Sequence, residues 1–382
     1  MTAAEAAEPG GAARTLPRQV RPVTQWRVRH VTLLPVRHVT PGGARPGRGR
    51  AGRRGGGYLA RKLGFYLIAA WAAITLNFFL PRLIPGNPVE IILAHQAHFG
   101  TVPPGEATAL TKLLGLGTGS IFAKYWQYLD SLAHLRMGLS VYEFPVPVST
   151  VIRQSILWTI ILVGTATVIS FVVGIALGVL AGWKRGTWLD NVVPATTFLT
   201  AMPYFWLALL LVYLFTQVLP VFPSSGGYNP TDNVGFNGPF IASAVQHSVL
   251  PALTIVISSI GGWLLGMRNM MVSTLSDDYV VAAEAKGLRP RRVMIGYVAR
   301  NAVLPSVSGF AISLGFVVSG SIVMEQVFNY PGIGNVLFQA VSNDDYPLMQ
   351  GIFLVITLTV LGANLLVDLL YGFIDPRTRI AS

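Results

Sequence analysis

The sequence predicts an all-α integral membrane protein with six transmembrane helices and both termini in the cytoplasm. Three observations support this fold class. The 382 residues are 52% hydrophobic and 12% charged, a balance that is too apolar for a soluble domain of this length. Six apolar stretches have about the length that a helix needs to cross a hydrocarbon core of roughly 30 Å. Basic residues gather in the segments that this topology leaves in the cytoplasm, as the positive-inside rule requires.

The net charge of +12 is concentrated at one end of the chain. Residues 1–62 contain 13 of the 28 Lys and Arg residues and two acidic residues, so the rest of the chain is almost neutral. A basic tail before a neutral, apolar body is a signal for membrane topology, and we expect no nucleic acid as a partner. The chain has no Cys, which excludes thiolate catalysis, Cys-bound zinc, iron–sulfur clusters and disulfides.

The predicted organisation is a basic tail, residues 1–57, ahead of a transmembrane domain, residues 58–382. The tail is rich in Gly, Pro and Arg and has no apolar period. Such a composition cannot build a core, so we expect a disordered cytoplasmic segment.

The first span covers residues 63–80 and is closed by Pro81. An outward segment, residues 82–154, follows it. Structureless loops of that length are uncommon, so we expect short helices within it. The aromatic, amphipathic residues 122–129 predict one that lies on the membrane surface or over the pore.

The second and third spans are predicted at residues 157–181 and 192–219. A short basic turn, residues 182–186, joins them and belongs in the cytoplasm. The third span contains Pro203, which removes one backbone hydrogen bond, so we expect a kink or a break there. The loop that follows, residues 220–246, is rich in Gly, Pro and Asn and faces outward.

The last three spans are predicted at residues 250–271, 302–324 and 349–371, with membrane lipid around all six. Between the fourth and the fifth lies the cytoplasmic loop 272–301, which holds the densest basic cluster outside the tail. Residues 282–286 of this loop favour a helix, Gly287 tolerates the left-handed backbone that ends one, and Pro290 can open the next. The loop is therefore predicted as a short helix, a tight turn and another helix.

This loop carries a resemblance to a known family. The general signature of the inner-membrane permeases of binding-protein-dependent ABC transporters is Glu-Ala-Ala, three residues and Gly. Here Val281 replaces the Glu, and Gly287 is in register. The dipeptide, oligopeptide and nickel branch is more similar, and it is matched by Asp278-Tyr279-Val280, Ala283, Ala285-Lys286-Gly287-Leu288, Arg300-Asn301-Ala302 and Leu304-Pro305.

The resemblance extends from the first span to the C-terminus, and the tail before residue 58 lies outside it. Further similar segments are residues 81–89, Gly138-Leu139-Ser140, residues 325–334, Asp345-Tyr346-Pro347, residues 364–368 and Asp375-Pro376-Arg377.

The resemblance implies the fold of a type I ABC importer permease that translocates short peptides, or another solute such as an oligosaccharide or a nickel complex. The implied partners are a homologous second permease, two ABC ATPase subunits and an extracytoplasmic binding protein. The helix of the loop would dock on an ATPase subunit and transmit its ATP-driven movement. The residues implied in this coupling are Asp278, Tyr279, Ala282, Ala283, Glu284, Ala285, Lys286, Gly287 and Leu288.

No cofactor is expected on this chain, and ATP and Mg belong to the ATPase subunits. The sequence contains no Gly-x-x-x-x-Gly-Lys-[Ser/Thr] phosphate loop. The Gly-rich residues 115–120 fall in the outward segment, without the strand and helix that such a loop needs. His95 and His98 have a spacing that suits a metal, but they lack a third ligand, so no metal site is expected.

Polar and helix-breaking residues within the spans are the candidates for a solute pathway. Pro203, Tyr204, Phe205 and Trp206 either line the pathway, because a broken helix exposes backbone groups that a cavity would satisfy, or form a kink that serves packing alone. Asn77 and Asn364 either line the pathway or form hydrogen bonds between helices. Asp368, near the inner end of the sixth span, is expected to pair with a basic residue.

Two other classes of protein fit the sequence less well. An intramembrane hydrolase would need a catalytic pattern such as His-Glu-x-x-His or Gly-x-Ser-x-Gly, and neither occurs. A channel or a secondary transporter that works without ATP would not need a docking helix for a motor. The chain is therefore expected to be a transport subunit and not an enzyme.

Overall fold

The computed structural model describes residues 51–83, 89, 90, 93, 97, 105, 107, 108, 111 and 120–374. The predictions for residues 1–50, for the His95 and His98 pair, for most of residues 82–119 and for residues 375–382 lie outside these residues. Twelve helices form the described part of the chain: α1 (Ala51–Leu83), α2 (Ile121–Ala133), α3 (Val148–Trp183), α4 (Trp188–Ala201), α5 (Tyr204–Val218), α6 (Gly238–Thr274), α7 (Asp278–Ala285), α8 (Pro290–Ala302), α9 (Leu304–Ser319), α10 (Ile322–Val327), α11 (Ile333–Ser342) and α12 (Tyr346–Ile374).

The number of spans agrees with the six that the sequence predicts. Helices α1, α3, α6 and α12 each contain a window that is long and apolar enough to cross a membrane. Two bent pairs supply the other two spans: α4 and α5 meet at an angle of 97°, and α8 and α9 at 50°. The first bend lies at Met202 and Pro203, so the predicted break in the third span is confirmed.

Several helices continue beyond their predicted apolar spans. Helix α1 begins at Ala51, twelve residues before the first predicted span. Helix α6 begins at Gly238, twelve residues before the predicted start. There the Asn237 side chain accepts a hydrogen bond from the backbone N–H of Phe240 at 2.9 Å, which caps the helix.

The fifth span is also displaced from its predicted residues, 302–324. It begins at Pro290, because Pro is well suited to the first turn of a helix. It ends at Ser319, where Gly320 follows with a φ of +68° that an α-helix cannot continue. Residues 322–324 belong instead to the separate short helix α10.

Helices α3 and α6 run parallel and pack closely along a stripe of glycines on α3. Gly174, Gly178 and Gly182 face α6 at intervals of four residues. A Cβ atom on Gly178 would lie 2.7 Å from both the Leu264 carbonyl oxygen and the Met267 Cβ atom. Small residues at this spacing let two membrane helices approach closely, so this pair forms the centre of the bundle.

Polar side chains join α1 to α12. Asn77 donates a hydrogen bond to the Gln350 carbonyl oxygen at 2.7 Å, and the Gln350 side chain donates to the Asn77 carbonyl oxygen at 3.0 Å. Lys62 forms an ion pair of 3.0 Å with Asp368, and Tyr66 donates a hydrogen bond to the same carboxylate. The predicted pairing of Asp368 with a basic residue is therefore confirmed.

The two ends of the bundle have separate hydrophobic clusters. At the end where α3 begins, Val148 and Ile152 pack against α11 and against Leu348 of α12. At the end where α3 finishes, Met267 and Met271 of α6 pack against residues of α7 and α8.

Candidate functional site

Helix α7 is a short surface helix at the end of the bundle where α3 and α6 finish. Two of its side chains, Val280 and Ala283, are buried, with exposures of 1% and 3%. They pack in one cluster with Met271 of α6 and with Val293 and Val298 of α8. Their separation of three residues places both on one face of the helix. Helix α7 is therefore seated on two spans at once.

The turn after α7 has the hydrogen bonds of a Schellman motif. The Gly287 N–H donates to the Glu284 carbonyl oxygen at 2.8 Å, and the Leu288 N–H donates to the Ala283 carbonyl oxygen at 3.4 Å. Gly287 has a φ of +73°, a backbone angle that residues other than Gly, Asn and Asp rarely adopt. Pro290 then opens α8. The predicted sequence of short helix, turn and helix is confirmed.

The rest of α7 and its turn is exposed. Val281, which stands where the general signature has Glu, is 57% exposed. Ala283 and Leu288, two of the nine predicted coupling residues, lie instead against the bundle of their own chain. The other seven remain on the free face: Asp278, Tyr279, Ala282, Glu284, Ala285, Lys286 and Gly287.

A side-chain hydrogen bond connects α7 directly to α8. The Asn301 amide donates to the Tyr279 hydroxyl at 2.9 Å and to the Tyr297 carbonyl oxygen at 3.1 Å. Asn301 thus holds α7 to α8, the first helix of the fifth span. The sequence comparison matched Asn301 and Tyr279 separately, without showing that they meet.

The aromatic residues at the break between α4 and α5 are exposed. Tyr204, Phe205 and Trp206 have exposures of 42%, 45% and 48%, whereas the next two residues, Leu207 and Ala208, are buried. These three aromatic side chains are therefore accessible at the surface of this subunit. Pro203 is exposed at the break itself.

The two candidate asparagines have different environments. Asn77 is 6% exposed and forms the hydrogen bonds with Gln350 described above, so it makes a contact between helices. Asn364 is half-buried in α12.

At the opposite end of the bundle, two buried carboxylates organise the loops. Glu325 accepts hydrogen bonds from the Thr159 hydroxyl at 2.8 Å and from the backbone N–H groups of Gly334 at 2.6 Å and Asn335 at 3.1 Å. These N–H groups belong to the first turn of α11, where a negative charge is favoured. Burial raises the pKa of the Glu325 carboxyl, and the hydrogen bonds act in the opposite direction.

The second buried carboxylate, Asp345, joins the start of α12 to the segment before α3. Its carboxylate accepts hydrogen bonds from the Ser140 hydroxyl and from the N–H groups of Val141 at 2.8 Å, Tyr142 at 3.0 Å and Leu348 at 3.0 Å. Both carboxylates lie in segments that the sequence comparison matched, but it assigned them no role. An Asp immediately before an apolar helix is a signal for an N-cap and could have indicated this one.

The helical architecture of the described residues agrees with the protein family that comparison with known proteins identifies. The family described as "Binding-protein-dependent transport system inner membrane component" matches residues 174–380. Similar proteins include the di/tripeptide transport system permease protein DppB of Pseudomonas aeruginosa, which is 34% identical over 82% of this chain and 96% of its own. The probable D,D-dipeptide transport system permease protein DdpB of Escherichia coli is 30% identical over 79% of this chain and 91% of its own.

A third similar protein is the oligopeptide transport system permease protein AppB of Bacillus subtilis, which is 27% identical over 79% of this chain and 92% of its own. The chain therefore belongs to the binding-protein-dependent transport system inner membrane components, as a transport permease that crosses the cytoplasmic membrane several times.

Proposed function

We propose that the chain is the permease subunit of an ATP-driven ABC importer of short peptides. The observation that carries this proposal is α7, a short helix that rests on α6 and α8 by Val280 and Ala283 and leaves its other face exposed. A transporter that works without a motor would have no use for such a face. The peptide transport systems named for the similar proteins support peptides as the solute.

In this proposal α7 and both termini are cytoplasmic, and α7 docks on an ABC ATPase subunit. Ala282 and Ala285 leave room for a close approach, while Asp278, Glu284 and Lys286 offer charges of both signs. When ATP closes the ATPase pair, α7 moves with its subunit. The cluster around Met271 and the hydrogen bond from Asn301 to Tyr279 pass that movement to the fourth and fifth spans.

The proposal also includes the other subunits of the transporter. A homologous second permease and two ATPase subunits complete the assembly, and ATP and Mg are bound by the ATPases. An extracytoplasmic binding protein delivers the solute to the end where α3 begins. The exposed Tyr204, Phe205 and Trp206 face the second permease and, with Pro203 and Asn364, line the solute pathway. Because Asn77 is enclosed between α1 and α12, we do not assign it to the pathway.

The proposal is tested by affinity purification of the full-length chain from its native membranes in a mild detergent, with identification of all co-purifying chains by mass spectrometry. We expect a second six-span permease and ATPases that carry phosphate loops. Uptake of labelled di- and tripeptides should also be lost when the chain is deleted. Purification of the chain alone from a transport-competent extract would contradict the proposal, and uptake of only a different solute would correct the peptide assignment.

Two variants of one residue test the docking face. Gly287→Arg places a long charged side chain at an exposed position and strains a φ of +73°. It should abolish recovery of the ATPases and uptake while the protein stays in the membrane. Gly287→Asn is the matched control, because Asn tolerates a left-handed backbone and adds a short side chain. It should retain both. Wild-type recovery of the ATPases with Gly287→Arg would refute docking at α7.

A further inference from the structure

A groove runs between the two central helices, at the end where α3 and α6 begin. It has a volume of about 640 Å³ and lies between residues 153–165 of α3 and residues 240–252 of α6. Twelve residues of helix correspond to a length of roughly 18 Å. The floor is aromatic: the Trp158 ring stacks on Tyr228 at 5.8 Å and meets Tyr330 edge-on at 5.6 Å. The groove is therefore long and apolar, and side chains along it, such as Leu157, Ile161 and Val245, are exposed on this chain.

The hydroxyl groups that line the groove already have hydrogen-bond partners. The Ser248 hydroxyl bonds to the Ala244 carbonyl oxygen at 2.7 Å and to the Tyr330 hydroxyl at 3.0 Å. The Thr165 hydroxyl donates to the Ile161 carbonyl oxygen at 2.6 Å. A peptide in this groove would leave its backbone groups without partners, which is costly in an apolar site. The chemistry of the walls instead suits a hydrocarbon chain.

The end of the groove nearest the start of α3 is different, because Arg153 and Gln154 line it. Arg153 is exposed, and the ion pairs found among the described residues join other side chains. It is the sixth residue of a 36-residue helix. Such a helix is roughly 54 Å long and extends beyond a hydrocarbon core of roughly 30 Å, which places Arg153 near the membrane surface. An arginine fork at that depth fits a phosphate group.

We propose that this groove is a binding site for one phospholipid of the surrounding leaflet. The phosphate of the lipid rests on Arg153, and an acyl chain lies between Leu157 and Ile161 of α3 and Ala244 of α6. The exposed Phe236 and Val234 of the loop before α6 border the groove and are covered by the same chain. The bound lipid thus seals the wall between the second and fourth spans where their packing opens. This inference rests on the membrane location of the chain and is independent of the solute.

The test uses the full-length protein, with the subunits that co-purify with it, in lipid nanodiscs. The probe is a phosphatidylglycerol with a photoactivatable diazirine on one acyl chain, and labelled residues are mapped by mass spectrometry. We expect labels to concentrate on residues 157–165 and 244–252. Arg153→Gln should reduce this labelling about ten-fold, because it removes a charge-assisted contact to the phosphate. Ala244→Trp fills the groove and should abolish it.

Two matched controls separate the groove from ordinary lipid contact. Arg136→Gln removes an arginine that lines a different cavity, beside α2, and Ile160→Trp adds bulk at an exposed residue of α3 that does not line the groove. Neither should change labelling of the groove. Labelling that is uniform around the spans, or equal in Arg153→Gln and the wild type, would overturn the proposal. So would loss of the label with excess dipeptide, which would make the groove part of the solute pathway, or its absence whenever the second permease is bound.

Discussion

At the scale of single residues, Glu325 shows how a loop is fixed by one buried carboxylate. It is completely buried and accepts hydrogen bonds from Thr159 of α3 and from the first turn of α11. Thr159 in turn accepts a hydrogen bond from the N–H of Ile333 at 2.8 Å. Gly332 is required beside it, because a Cβ atom there would lie 2.4 Å from the Glu325 carboxyl. The family-like residues 325–334 are thus a structural unit that attaches α11 to the second span.

Glu325→Ala should destabilise the protein strongly, because it leaves two buried N–H groups and one hydroxyl without an acceptor. Each such group costs about 1–3 kcal/mol, so we expect a loss of at least about 3 kcal/mol. Glu325→Gln keeps an amide oxygen for Gly334 and Asn335 and should cost less than half as much. Thermal unfolding of the purified protein in detergent, followed by size-exclusion chromatography, measures both. Equal stability of Glu325→Ala and the wild type would contradict the network.

The pH dependence of the stability difference between the wild type and Glu325→Gln tests the charge state of Glu325. Burial raises the pKa of Glu325 above its ordinary value. The stabilisation from this group is therefore fully present below the ordinary pKa of Glu in the unfolded chain, about 4.3. It is lost as the pH rises through the raised pKa, because the folded state then holds a buried charge. The stability of the wild type relative to Glu325→Gln should therefore fall with rising pH. Glu143, whose pKa burial and the charge of Asp345 also raise, is present in both proteins, so its effect cancels.

At the scale of elements, the bundle depends on the contact between α3 and α6. Gly178→Ala should destabilise it, because the new Cβ atom would lie 2.7 Å from the Leu264 carbonyl oxygen, and backbone cannot move aside cheaply. Overpacking of this kind costs about 1–3 kcal/mol. Gly164→Ala is the matched control on the same helix, since its Cβ atom would meet only Val317 at 3.6 Å. It should be neutral or slightly stabilising, because Ala favours helix. The unfolding assay in detergent distinguishes the two, and equal stability of both variants would refute close packing at Gly178.

Apolar length and charge are the features of these elements that the sequence reveals best. They predict six spans, the break at Pro203 and the helix and turn that end at Gly287. They do not reveal where a helix stops when the cause is a single backbone angle, as at Gly320, or where it starts because of a cap, as at Asn237. The glycine stripe was also missed. Spacing alone does not say which neighbouring helix a small residue faces.

At the scale of the whole molecule, the two functional ends are joined by the same helices. Helix α3 carries Thr159 of the Glu325 network near its start and packs near its end against the cluster that seats α7. Helix α6 runs parallel to it and ends in the same cluster. The sequence identified the segments at both ends. It could not show that Ala283 and Leu288 face inward or that Tyr279 meets Asn301, because these are contacts between elements.

The hydrogen bond between Asn301 and Tyr279 offers the sharpest test of transmission through the molecule, and it rests on the proposed function. Asn301→Ala removes the direct polar link between α7 and α8 and leaves the free face of α7 intact. ATPase subunits should still bind and hydrolyse ATP. The amount of solute imported per ATP should fall by about two- to ten-fold, which is the factor that corresponds to the net free energy of one neutral hydrogen bond.

Proteoliposomes that contain the complete transporter allow uptake and ATP hydrolysis to be measured together. Tyr279→Phe removes the acceptor of the same bond and should give the same loss. Tyr297→Phe is the matched control: Asn301 bonds to the backbone oxygen of Tyr297, so its hydroxyl is not needed for this link. An unchanged ratio in both Asn301→Ala and Tyr279→Phe would mean that the apolar cluster around Met271 transmits the movement without this bond. A loss in Tyr297→Phe as large as in Tyr279→Phe would point to general loosening of α8.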